Sequence, residues 1–247
     1  MRFGLEWWGA TDVGRVRSNN EDKWLVDEDL QVAILADGMG GENCGEIAST
    51  VTLETVSEHL RSPQAMALPL EELAGAAIRE ANRRVIEASR RRPDCNGMGS
   101  TIVMALWRDP ELLIANVGDS RAYLFRNGEL CQLSYDQNFA NELRTKLGLT
   151  EERLRSVPNG NVLTMAIGCQ ERVLIETHTT ILQPGDRILL CSDGLHGSVE
   201  NATIVRILDG SGALCEGVER LIDCANSLGG QDNVTVVLLK YDGGSRE

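Results

Sequence analysis

The sequence predicts an α+β sandwich, and three observations carry that prediction. Two pairs of helical stretches, 44–61 with 70–92 and 202–208 with 213–227, stand between runs of strand-like segments. An Asn127-Gly128 pair between two apolar runs is a strong hairpin signal, which belongs to antiparallel pairing. The helices come in pairs, whereas a doubly wound parallel sheet needs helix and strand to alternate.

In chain order, 3–12 and 24–36 have strand-like patterns, with Asn19-Asn20 and Asp27 to Asp29 as turn signals, and these segments are expected to pair antiparallel. Helical spacing follows over 44–61 and 70–92, split by Pro63 and Pro69; the second places Ala74, Ala77, Ile78, Ala81 and Val85 on one side. The basic run Arg90 to Arg92 reads as a solvated helix end rather than a binding patch. A connector over 94–99 leads to a strand at 101–107, and shorter strands follow at 112–117, 122–125 and 129–133. The stretch 134–160 is more polar, holds one short helix over 141–147, and interrupts the strands; such insertions often carry function. Strands resume at 162–167, 173–181 and 187–191, then come the second helix pair and a last strand at 234–240. No repeat or linker divides the chain, so 1–247 is expected to be one domain.

With 247 residues, 42% of them hydrophobic, the chain can bury an ample core. Its seven cysteines are odd in number, form no C-x-x-C pair, and mostly lie in apolar segments; they are expected to be reduced core residues of a cytosolic protein. The first residues show no leader pattern, and no apolar run approaches the roughly 18 residues that cross a bilayer, so a cytoplasmic chain with no membrane partner is expected. A formal charge of -13 argues against nucleic acid as a partner, since phosphate backbones are bound by positive surfaces.

Asp37, Asp193 and Asp232 each sit where an apolar, strand-like run meets a turn. Strands packed in one core bring their ends to a common rim, so these carboxylates are expected to converge across the length of the sequence. Each like-charge pair at ~4 Å costs roughly 4 kcal/mol at an effective dielectric near 20, so the cluster needs cations or strongly raised pKa values. Hard oxygen donors suit magnesium or manganese. Gly38 removes bulk beside Asp37 and lets its own carbonyl reach a cation.

The stretch Thr11-Asp12-Val13-Gly14-Arg15-Val16-Arg17-Ser18-Asn19-Asn20-Glu21-Asp22 adds a further motif. Together with Asp37-Gly38-Met39-Gly40-Gly41, Gly118-Asp119-Ser120-Arg121, Ser192-Asp193-Gly194 and Asp232-Asn233, it resembles the bacterial type of the metal-dependent serine/threonine protein phosphatases, type 2C (PPM), over essentially the whole chain. The resemblance implies a four-layer α-β-β-α sandwich with two central antiparallel sheets and two manganese or magnesium ions at one edge. It implies that Asp37 bridges both metals, that the Gly38 carbonyl binds one, and that Asp193 and Asp232 bind the other. Glu21 and Asp22 would act largely through water on the metals. Asp119, with Asp193, would hold a third, weaker ion; the plainer reading of Asp119 is a turn aspartate supporting Arg121. Arg17 matches the phosphate-binding arginine, and a guanidinium makes forked bonds to phosphate that lysine does not reproduce. Arg17, Asp37 and Asp193 are the expected catalytic residues, acting on phosphoserine and phosphothreonine in proteins. A cognate serine/threonine kinase and its substrates are the implied partners.

Two departures stand out. Many eukaryotic relatives carry histidine where this chain has Met39, and a thioether donates no proton; the leaving oxygen is then protonated by water on the metals, with His196 as an alternative to be set against a loop or capping role. Many bacterial relatives read Asp-His-Ser where this chain reads Asp136-Gln137-Asn138, at the start of the 134–160 insertion that the resemblance places as a flap beside the site. Arg121 is expected to pair with an acidic neighbour rather than with substrate. Rival readings lack their residues: no Gly-Lys-Ser/Thr follows Gly40 to Gly45, no His-Arg-Asp motif occurs, and Cys215 with Arg220 lies in a helical pattern. A non-catalytic module of the same fold, or a metal phosphoesterase for small molecules, are the remaining alternatives.

Overall fold

Apolar residues at every position of a strand mean that both faces are covered. In the computed structural model, described over residues 5–40, 44–63, 67–150, 153 and 157–243, that holds for all the central strands. One sheet runs β1 (Leu5–Asp12), β11 (Val234–Tyr241), β10 (Arg187–Cys191), β7 (Arg121–Arg126) and β8 (Glu129–Gln132). The other runs β2 (Asp22–Asp27), β3 (Val32–Met39), β5 (Ile102–Arg108), β6 (Glu111–Val117) and β9 (Glu176–Ile181), with the short β4 (Gly99–Ser100) paired to the end of β3. All pairings are antiparallel.

The period of two along a strand sorts its side chains between layers. Ala33 and Leu35 of β3 meet Leu190 of β10 and Val237 and Leu239 of β11 between the sheets. Val32 and Ile34 point the other way, under the helix pair α1 (Cys44–Leu60) and α2 (Leu70–Arg90), against Val56, Ala74, Ile78 and Val85. Val236 and Leu238 of β11 likewise turn outward, under α5 (Asn201–Asp209) and α6 (Leu214–Ser227), against Val218 and Leu221. The result is the four-layer sandwich. Arg90, Arg91 and Arg92 are exposed at the end of α2, as expected of a solvated end. Asn127 (φ 54) and Gly128 (φ 79) form the hairpin between β7 and β8, both in the left-handed region that a tight hairpin demands.

Several expectations need correction. Segment 3–12, described from Leu5 onward, does not pair with the strand after it: β1 pairs with β11 at the far end of the chain, while β2 pairs with β3 in the opposite sheet. The segment read as 24–36 is two strands joined by a turn, with Gln31 at φ 54. Residues 162–167 run irregularly, held by the isolated bridges Asn138↔Leu163 and Ser100↔Ile167, and the strand expected over 173–181 is confined to Glu176–Ile181. Cys44 and Cys95 form a disulfide, and Cys131 and Cys169 are exposed, so the cysteines are not uniformly reduced core residues. Gly41 of the Asp37 motif, and part of the 134–160 insertion, lie outside the described residues.

Candidate active site

The carboxylates do converge. Arg17, Glu21, Asp37, Gly38, Asp119, Asp193 and Asp232 line one cavity of about 360 Å³, with Met39, Thr101 and Asn233 in its wall. It lies at the edge of the sandwich where β3 ends, where β10 runs into α4 (Asp193–His196), and where β11 begins.

Local chemistry fixes each part. Thr101 Oγ1 accepts the Asp37 N–H at 3.0 Å, and the Thr101 N–H and Ser100 hydroxyl both donate to the Asp37 carbonyl. Gly38 is required by contact: a Cβ there would lie 2.1 Å from the Gly45 carbonyl oxygen and 2.8 Å from that of Glu21. The first turn of α1 therefore rests directly on the end of β3. Asn233 binds the N-terminal motif, with Oδ1 accepting from the Glu21 N–H at 2.8 Å and Nδ2 donating to the carbonyls of Val13 and Asn19. Gly14 (φ 83) lets that motif pass over Asp232, where a Cβ would meet the Asp232 carbonyl at 2.3 Å. Arg17 is half-exposed, and its Nη2 donates to Asp232 Oδ2 at 2.8 Å.

Asp22 stands opposite Asp37 in the β2–β3 register, yet it is buried rather than in the cavity wall. Its Oδ2 accepts from the hydroxyls of Ser192 (2.8 Å) and Thr235 (2.6 Å), while its Oδ1 is buried without a partner. Asp193 Oδ1 is a second such orphan. Burial foremost, then neighbouring negative charge, raises the carboxyls of Asp22, Asp37 and Asp193. Asp119 is raised to about 7 by burial and then by Asp193. Among the described residues, no three carboxylate, imidazole or thiol side chains close a metal site by themselves; the carboxylates instead stand around the cavity. Mutually repelling hard oxygens around such a cavity, Asp193 Oδ1 among them without a partner, suit divalent cations.

Asp119 also borders a second cavity of about 540 Å³, which it shares with Asp193, Arg144, Asn161 and His196. The insertion supplies much of its wall through α3 (Phe139–Leu147) and residues 157–161. Arg121 makes a forked ion pair with buried Asp136 and donates to the Tyr123 hydroxyl, so it does pair with an acidic neighbour. His196 Nε2 bonds the Asp119 carbonyl at 2.9 Å, and burial, then Arg121, lowers the imidazole to about 3. A neutral ring bonded to a backbone carbonyl fits a side chain that holds the turn 118–121 in place. The motifs name Asn233 and Ser192 without a task and leave out Thr101 and Thr235; polar residues interrupting the ends of otherwise apolar strands are the available signal.

A protein phosphatase 2C family profile matches residues 14–227. The serine/threonine phosphatase stp of Listeria monocytogenes is 37% identical over 237 residues, covering 94% of both chains. Among solved structures, the phosphatase Stp1 from Staphylococcus aureus superimposes with a TM-score of 0.90 at 30% identity, over 98% of both chains. The catalytic domain of the serine/threonine phosphatase PstP, in complex with two manganese ions, does so with 0.85 at 33% identity, over 96% of this chain and 97% of that one. With the two-sheet sandwich, the acidic cavity at its edge and a match spanning most of its length, this chain belongs to the protein phosphatase 2C family.

Proposed function

We propose that this chain is a metal-dependent hydrolase that removes phosphate from phosphoserine and phosphothreonine in proteins. The observation that carries the proposal is the single cavity that gathers Asp37, Asp193, Asp232, Glu21 and Arg17 from four separate stretches of sequence. Asp37, the Gly38 carbonyl, Asp193 and Asp232 would hold two manganese or magnesium ions, with Glu21 and Asp22 supporting them and Asp119 sharing Asp193 at a third, weaker position. Two such cations, when bound, make water a nucleophile near neutral pH and offset charge on the phosphoryl group.

The remaining work falls to the chain's own groups. Asp232 holds one nitrogen of Arg17 at the cavity, which orients the guanidinium to offer its other N–H groups to phosphate oxygens. Neither the Met39 thioether nor the neutral His196 ring gives a proton to the leaving oxygen, so that proton comes from water in the cavity. The 134–160 stretch acts as the flap, and 1–247 as one phosphatase unit. A non-catalytic module is not favoured, because the acidic set that such a module would lose stands around the cavity.

Phosphoproteins are the substrates on this reading, and a cognate serine/threonine kinase with its own substrates completes the partners. Among the described residues no helix is long and apolar enough to cross a membrane. A cytoplasmic place is part of the proposal; five cysteines are free, while Cys44 and Cys95 are joined. The test is phosphate release from a phosphothreonine peptide as manganese is titrated into metal-free protein, with Asp193→Ala as the control. Manganese-dependent release that the substitution abolishes supports the assignment; folded protein that releases nothing across the titration overturns it.

A further inference from the structure

Cys44 and Cys95 join two parts of the chain that grip the end of β3. Cys44 opens α1, and the next residue, Gly45, is packed so closely that a Cβ there would lie 2.8 Å from the Gly38 carbonyl carbon and 2.7 Å from Glu21 Cδ. One turn further on, the Ser49 hydroxyl donates to the Glu21 carbonyl at 2.6 Å. Cys95 closes the short turn Pro93–Cys95, just before β4, whose Gly99 and Ser100 pair with Met39 and Gly38. The Ser100 hydroxyl donates to the Asp37 carbonyl at 3.0 Å. Residues 37–39 thus lie between the first turn of α1 and β4, and the disulfide connects the two sides, its Cα atoms 5.3 Å apart.

The other five cysteines are free, with Cys131 and Cys169 exposed, so the bond is no part of a disulfide framework. In a reducing cytoplasm, the place proposed above, a disulfide is ordinarily transient and redox-sensing rather than structural. Its position suits that. Cys95, at 7%, is the one buried residue from Arg91 to Gly97, so a local opening of surface residues uncovers its sulfur. The Asp94 carbonyl lies 3.6 Å from Cys44 Sγ and accepts the thiol's hydrogen once the bond is open, so reduced Cys44 is not stranded.

We propose that Cys44 and Cys95 are a reversible thiol–disulfide exchange site, whose closed form holds the first turn of α1 on Gly38 and Glu21 and so tightens the cavity's hold on divalent cations. A dithiol opens it. One thiolate of the dithiol attacks a sulfur of the pair, forming a mixed disulfide and releasing the other cysteine as a thiolate that takes up a proton. The second thiolate of the reductant then displaces the remaining cysteine, which is protonated in turn. The dithiol leaves as a cyclic disulfide, and two electrons have passed to the protein. A low-molecular-weight disulfide closes the pair by the reverse exchange, accepting the two electrons and leaving as two thiols. With the bond open, α1 keeps its packing under α2 and β3, but its first turn is no longer tied to the segment that leads into β4. This rests on the phosphatase reading above and adds to it control of the metal site by thiol chemistry.

The experiment compares the full chain reduced with dithiothreitol and oxidised with glutathione disulfide, each freed of reagent. Differential alkylation and mass spectrometry report the state of Cys44 and Cys95, circular dichroism reports the fold, and calorimetry gives the manganese Kd. Reduced protein should stay folded and bind manganese about tenfold more weakly, the scale of losing support around metal ligands. At saturating manganese its phosphate release should return to that of the oxidised form. The double variant Cys44→Ser with Cys95→Ser should bind manganese as reduced wild type does and ignore both reagents; should it not fold, the wild-type comparison decides alone. A pair that dithiothreitol opens only by unfolding the chain, equal manganese affinity in the two states, or a redox response surviving in the double variant overturns the proposal. With manganese-dependent phosphate release intact, that failure leaves the phosphatase reading standing. Folded wild type that neither binds manganese nor releases phosphate in either state overturns both.

Discussion

Replacing Asp119 by asparagine should make the metal-free protein more stable. Asp119 is 5% exposed, and burial followed by the Asp193 charge raises its carboxyl from 3.8 to about 7. A carboxyl raised in the folded state penalises folding wherever it is ionised. That penalty is complete above the folded value and fades as pH falls through about 7 toward 3.8. At about 1.36 kcal/mol for each pH unit, the ionised carboxylate costs the fold about 4 kcal/mol near pH ~8 and about 2 kcal/mol near pH ~5.5. Asparagine removes the charge and still offers an oxygen to the Asn138 amide, which donates to Asp119 Oδ2 at 3.3 Å. Urea unfolding of both proteins in excess chelator measures the difference, and the opposite contribution of His196, buried neutral in each, cancels between them. Saturating manganese should then stabilise the variant less than it stabilises wild type. A variant no more stable than wild type near pH ~8, or a gap that does not narrow on acidification, would refute the reasoning.

Arg121→Ala strands the Asp136 carboxylate, whose side chain is 7% exposed, and should cost about 3–5 kcal/mol in chemical denaturation; a loss below about 1 kcal/mol would mean the pair is solvated. Arg17→Lys, which keeps the charge but not the fork, should lower kcat/KM on a phosphothreonine peptide by about tenfold to a hundredfold, and unchanged kinetics would remove Arg17 from phosphate binding. Gly38→Ala places a Cβ 2.1 Å from the Gly45 carbonyl and should cost about 3 kcal/mol by pushing α1 off β3, together with weaker manganese binding by calorimetry. Undiminished stability in that variant would argue against the close packing.

The layers were legible because burial on both faces writes itself into the sequence as unbroken apolar runs, and α1 and α2 because their apolar residues recur at helical spacing. Pairing partners were not legible where they lie far apart. Nothing local to 5–12 says that its neighbour is 234–241, and the strand after it, beyond the Asn19-Asn20 turn, looked like the cheaper choice. Residues 162–167 misled because short apolar runs are buried in irregular segments as readily as in strands; here Ile167 is buried, and single bridges hold the segment. The disulfide could not be read because Cys44 and Cys95 are 51 residues apart, brought together at the start of α1 and just past α2. At the site, Asp37, Asp193 and Asp232 are legible from strand ends, whereas Glu21, Asp22 and Asp119 are named only by the resemblance, and Asp22 lies behind the cavity wall, held by Ser192 and Thr235. Side chains whose partners are other side chains leave no period to detect.

The pairing of β1 with β11 has a consequence for synthesis. The loop that holds Arg17 and Glu21 is seated by Asn233, and the strand before it lies along β11, so neither has its place until residues 233–241 have left the ribosome. A nascent chain that stops before residue 232 lacks Asp232 as well as β11, the strand between β1 and β10 in the five-stranded sheet. Long-range closure of this kind slows folding. It also means that a copy cut short before Asp232 lacks one wall of the acidic cavity and the Asn233 contacts that seat the Arg17 loop, so the order of synthesis assembles the cavity only once β11 is paired.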